Sequence, residues 1–104
     1  MLPPQTDFEE AAVAESREKV EEPPLYKVLL HNDDFTTMEF VVWILETVFN
    51  MPEEQAIQVM LNVHLRGVGV AGIYTYEIAE TKVEKTTALA REHEYPLLVT
   101  MEQA

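Results

Sequence analysis

His31, Asn32, Asp33 and Asp34 are four consecutive polar side chains, and Thr36 and Thr37 add two hydroxyls just beyond Phe35. A second isolated histidine, His64, lies well downstream. Such groups can accept hydrogen bonds from a cation, ligate a metal or move protons. Catalysis asks for more: a nucleophile beside a base, or ligands at a spacing such as HExxH, and neither is present. Side chains adjacent in sequence, such as Asp33 and Asp34, generally diverge and do not pair as acid and base. With no Cys there is no thiolate nucleophile or ligand. No catalytic residue, metal or cofactor is therefore expected, and the chain reads as a non-enzyme.

The elements that must position these groups follow from periodicity. Residues 25–31 alternate as a strand and are apolar on both faces, which suggests a central strand. Asn32 to Asp34 break it with turn-forming side chains. Thr36 and Glu39 then have the spacing of a capping box, opening a helix over residues 39–49. Phe40, Val41, Ile44, Leu45, Val48 and Phe49 share its apolar arc, and Trp43 falls on the polar side as a lid or a partner surface. Pro52 suits the first position of a second helix, with Glu53 and Glu54 near its positive end. On that helix Ala56, Ile57, Met60, Leu61 and His64 occupy the middle of an apolar arc that Val59 and Val63 extend. His64 thus has two readings, a core residue or a functional one.

Gly67, Gly69 and Gly72 match the GxGxxG string of dinucleotide sites, but a helix precedes them and the strand-like residues 73–76 follow, the reverse of the required context. They are expected to end the second helix and start a strand making close backbone contacts. Residues 77–94 read as a third helix with a narrow face of Ala79, Val83, Thr86, Thr87 and Ala90, stopped by Pro96. Residues 97–101 give a last strand. The expected fold class is α+β, order β-α-α-β-α-β: a small three-stranded antiparallel sheet with three helices packed mainly on one face.

A chain of 104 residues supports one core. Residues 1–22 stand apart as a mobile acidic tail, in which Asp7, Glu9, Glu10, Glu15, Glu18, Glu21 and Glu22 outnumber Arg17 and Lys19; Pro23 and Pro24 mark the boundary of a domain over residues 23–104. A formal net charge of -12, with 7 Lys and Arg in all, argues against nucleic acid as a partner. No stretch is apolar enough to span a membrane and residues 1–10 lack a secretory signal, so a cytoplasmic location is expected. Met60, Val63 and His64, set opposite Met38 and Val41, can enclose an apolar pocket with a polar rim at Asn32 to Asp34. That combination suits a ligand with a bulky hydrophobic body and a cationic end, for which an α-amino group, charged at neutral pH, is a natural candidate.

Several separate segments together resemble one family: residues 26–34 (YKVLLHNDD), Thr36 with Met38 to Val41, Met60-Leu61 with Val63-His64, residues 79–83 (AETKV) and residues 95–98 (YPLL). In order and spacing they resemble the bacterial ClpS adaptors, over residues 24–104. The resemblance implies an adaptor that binds N-terminal Leu, Phe, Tyr or Trp of N-degron proteins and delivers them to the ClpA unfoldase of the ClpAP protease. Asn32, Asp34 and His64 are implied to hold the α-amino group, with Asp33 adjacent. Thr36, Met38, Val41, Met60, Val63 and Leu97 are implied to form the side-chain pocket, with Leu30 beneath. Glu77 and Lys82 match positions that dock the N-terminal domain of the unfoldase, and the tail matches the part engaged at hand-over. Thr37 stands where the family often has Pro, and Tyr95 where His is also seen. A bacterial, cytoplasmic monomer is expected. The alternative is a regulatory module that binds or inhibits the unfoldase without carrying cargo.

Overall fold

The computed structural model describes residues 22–104. The expected tail therefore lies outside the described residues, except for Glu22. Strand β1 (Leu25–His31) leads through a turn to helix α1 (Met38–Thr47); helix α2 (Glu53–Arg66) and strand β2 (Val68–Thr75) follow, then helix α3 (Tyr76–Glu92) and strand β3 (Leu98–Gln103). The sheet has the order β2-β1-β3 with both pairings antiparallel, so β1 is central as its composition suggests. Fold class and element order agree with the expectation. Among the described residues no helix is long and apolar enough to cross a membrane.

One face of the sheet carries the core. Val28 and Leu30 are fully buried, Val99 faces the same side, and the helices add Ile44, Leu45, Ala56, Ala79 and Ala90. The opposite face is open: Ile73 and Leu98 are more than half exposed, and Lys27 pairs with Glu102 across it at 3.6 Å. β1 is thus apolar on both faces but covered on one.

Helix boundaries depart from the sequence reading for local reasons. The cap of α1 is Thr37 and not Thr36: its hydroxyl accepts the Phe40 N–H at 3.1 Å, while the Thr36 hydroxyl donates to Asp33. α1 ends at Thr47 because Asn50 turns left-handed (φ 55) and sends the chain into Pro52. Pro52 is the N-cap of α2, so the helix begins at Glu53, one residue later than expected. Gly67 closes α2 with φ 88, and the strand starts at once, five residues before the expected Ile73. Gly69 must lack a side chain, since a Cβ there lies 2.7 Å from Val63 Cγ2 and 3.3 Å from the Val59 carbonyl. α3 stops at Glu92, well before Pro96, because Glu94 is left-handed (φ 65) and the Tyr95 N–H returns to the Ala90 carbonyl at 2.8 Å. On α2 the buried face is Ala56 and Val63, flanked by Val59 and Met60. Ile57, Leu61 and His64 lie outside it, exposed, which corrects the arc assigned from spacing.

Candidate functional site

Two strand and helix ends meet at one corner. The left-handed Gly67 lets the chain leave α2 and pair directly with β1, where Val68 stands opposite His31. Its carbonyl accepts the Asn32 N–H at 2.9 Å, tying the end of α2 to the turn that follows β1. His64, in the last turn of α2, is thereby brought beside Asn32 although far from it in sequence.

The turn is built by Asp33. One of its carboxylate oxygens accepts the N–H groups of Phe35 (2.8 Å) and Thr36 (2.6 Å); the other accepts the Thr36 hydroxyl at 2.7 Å. Desolvation works to raise the Asp33 carboxyl, but the Thr36 and Phe35 hydrogen bonds and the positive charge of Arg91 outweigh it and hold the group below its ordinary value. Asp33 is therefore ionised and committed to shaping the loop.

Between this turn, the start of α1 and the end of α2 lies a cavity of about 390 Å³, within the size range of small-ligand pockets. Its wall is Met38, Val41, Met60 and Val63; its rim is Asn32, Asp33, Asp34, Thr36 and His64. Phe35 and Thr37 line it as well and were missed from sequence. Phe35 is 73% exposed, and an aromatic set amid polar turn residues was the available signal. Thr37 was obscured by the one-residue error in the helix cap. Leu30 and Leu97 do not line the cavity: both are buried in the core, Leu30 on the covered face of β1 and Leu97 just ahead of β3.

The rim divides into bonded and unbonded groups. Among the described residues, the side chains of Asn32, Asp34 and His64 make no hydrogen bond within the protein, in contrast to Asp33. An amide oxygen, a carboxylate and an imidazole thus surround the mouth of an apolar cavity with acceptor capacity in hand. His31 is not part of it; its Nε2 meets the Thr100 hydroxyl at 2.7 Å across the open sheet face. Among the described residues no group of three His, Asp or Glu side chains could hold a metal ion.

The other two candidates lie on α3. Glu77 is exposed in its first turn. Lys82 is half-buried and donates from Nζ to the Val48 carbonyl at 2.7 Å, with Phe49 and Tyr74 ring centroids 5.9 and 5.7 Å away. Neither approaches the cavity.

Comparison with known proteins converges on one group. Residues 21–100 match the family model described as ATP-dependent Clp protease adaptor protein ClpS. The ATP-dependent Clp protease adapter protein ClpS of Methylococcus capsulatus is 58% identical over 93 residues, covering 89% of this chain and 88% of that protein. The protein of the same name from Myxococcus xanthus is 56% identical over 86 residues, covering 83% and 80%. Among solved structures, Agrobacterium tumefaciens ClpS2 bound to L-phenylalaninamide superposes with a TM-score of 0.77 at 42% identity, covering 80% of this chain and all of that one.

Proposed function

The chain belongs to the ClpS family of Clp protease adaptors, and from that premise we propose that it binds the free α-amino group and bulky side chain of N-terminal Leu, Phe, Tyr or Trp, and delivers proteins that begin with them to a ClpA-type unfoldase. As an adaptor it is not an enzyme. One observation carries the reading of the site: three acceptors without internal partners stand around the mouth of an apolar cavity. An ammonium has three N–H bonds, and Asn32, Asp34 and His64 can each accept one. The relative bound to L-phenylalaninamide holds a compound of this chemistry, with a free amine beside an aromatic side chain.

Selectivity then follows from two costs. Burying a large side chain between Met38, Val41, Met60 and Val63 is worth about 1.5–3 kcal/mol. An amine that is acetylated cannot satisfy the rim, and each acceptor left desolvated without a partner costs roughly 1–3 kcal/mol. Met38 stands at the entrance, 44% exposed, and crowds a ligand branched at Cβ, so Val and Ile bind less well than Leu. Asp33 shapes the turn and contributes negative charge without bonding the amine.

Docking is assigned to Glu77 and Lys82 on α3, neither of which lines the cavity, so that cargo and unfoldase are held together without competing. Among the described residues the Glu77 carboxylate has no hydrogen-bond partner, and Lys82 has two N–H bonds left after its bond to Val48. Tethering raises the effective concentration of cargo at the unfoldase, and no reaction in the adaptor is required. The test is reconstituted degradation of a reporter with N-terminal Phe by the unfoldase and its peptidase. Degradation is expected to depend on the adaptor and to fail with Glu77→Lys, which leaves peptide binding intact. If the adaptor slows degradation and binds no Phe peptide, it is a regulator without cargo.

A further inference from the structure

Behind the turn that shapes the cavity lies the corner between α3 and β3, joined to the start of α1 by one hydrogen bond and one ring contact. Tyr95 packs against Phe40 with ring centroids 4.6 Å apart and the planes tilted by 42°, and its hydroxyl accepts from the Thr37 hydroxyl at 3.4 Å. Arg91 Nη1 holds this corner in place by donating to the carbonyls of Tyr95 (2.7 Å) and Leu97 (3.2 Å). Thr37 has two duties: it caps α1 by accepting the Phe40 N–H at 3.1 Å, and it lines the cavity. Met38, the next residue, is the first of α1 and part of the cavity wall.

We propose that Tyr95 is a positioning residue for the binding site, fixing the Thr37 cap and through it the placement of Met38 at the cavity mouth. A threonine hydroxyl has one proton and two lone pairs, and its rotor is otherwise free. With the Tyr95 oxygen taking the proton, a lone pair of Thr37 is left aimed at the Phe40 N–H, and the first turn of α1 has one arrangement. Arg91 acts one step further back. It keeps the reversal after α3 from relaxing, and its charge also reaches Asp33, so both sides of the turn are referenced to the same corner. The ring of Tyr95 would pack on Phe40 without its hydroxyl; what the hydroxyl adds is the orientation of Thr37.

Tyr95→Phe isolates that atom, and the proposal rests in part on the amine-binding reading above, so two readouts are needed. In the free protein, amide hydrogen exchange at Phe40 and Val41 is expected to quicken about threefold to tenfold, as for loss of one modest hydrogen bond, with Ile44 and Leu45 unchanged. In peptide titrations, the preference for N-terminal Leu over Ile is expected to narrow, and Tyr95→Phe to add nothing in a Thr37→Ala background. Unchanged exchange at Phe40, or additive losses with Thr37→Ala, would overturn the positioning role. Quickened exchange in a protein whose wild type binds neither Leu nor Ile peptides would support that role and sink the amine-binding reading instead.

Discussion

The two ends of α1 both gather polar groups around a helix terminus, and they treat them in opposite ways. At the C-terminal end the Lys82 ammonium is held by the Val48 carbonyl and covered by Phe49 and Tyr74, whose phenol is pushed up by burial. At the N-terminal end Asp33 is likewise bonded from within, but Asn32, Asp34 and His64 keep their acceptors facing a cavity. A polar group whose partners are supplied by the fold stabilises the fold, whereas Asn32, Asp34 and His64 are exposed and, in the proposed reading, exchange water for the amine of a ligand. Asp33 and Asp34 make the point most closely, since adjacent residues of one type fall on opposite sides of it.

His64→Ala should break the comparison most visibly if it is wrong. His64 is exposed, so the variant is expected to melt with the wild type while affinity for a Phe or Leu peptide falls about tenfold to a hundredfold, as for one N–H of the ammonium left without an acceptor. A variant that unfolds would make His64 a supporting residue. Lys82→Met at the other end should do the converse. Methionine keeps the apolar stem, so the loss is one charge-assisted hydrogen bond, and the urea midpoint should report about 1–3 kcal/mol less stability with peptide affinity unchanged.

Asp33 sharpens the contrast through pH. Because its folded-state value is lowered, its contribution is complete above about pH 4 and is lost as pH falls through that lowered value. Acid titration of wild type against Asp33→Asn should show a stability gap that closes on going down from pH 4. Thr86, the smallest case, is buried with a hydroxyl that has no partner among the described residues. Thr86→Val keeps the shape and removes the burden, so a gain of roughly 0.5–1 kcal/mol is expected in thermal or urea melts.

Periodicity located every element of the described chain, because burial on one face is written at intervals of two or four residues. It was least accurate where single residues turn the backbone. Neither Asn50 nor Glu94 carries a signal as strong as glycine, so α1 and α3 were read two residues too long at their C-terminal ends. The choice of Thr37 over Thr36 as cap depended on Asp33 claiming Thr36 first, a side-chain competition that spacing does not encode. The site was legible as a set of residue types and as a family resemblance. Its convergence was less so, because it depends on the Gly67 carbonyl reaching Asn32. Leu97 shows the limit of the resemblance, which implies a pocket residue where the structure has a core one; Leu30, implied to lie beneath the pocket, is likewise in the core.

The most direct measurement is a calorimetric titration of the full chain with a short peptide beginning with Phe, once with a free amine and once N-acetylated. Free-amine peptide is expected to bind and the acetylated one to bind about a hundredfold more weakly or not at all, since acetylation removes the charge and leaves the rim acceptors unpaired. Equal affinity for the two would contradict amine recognition by Asn32, Asp34 and His64.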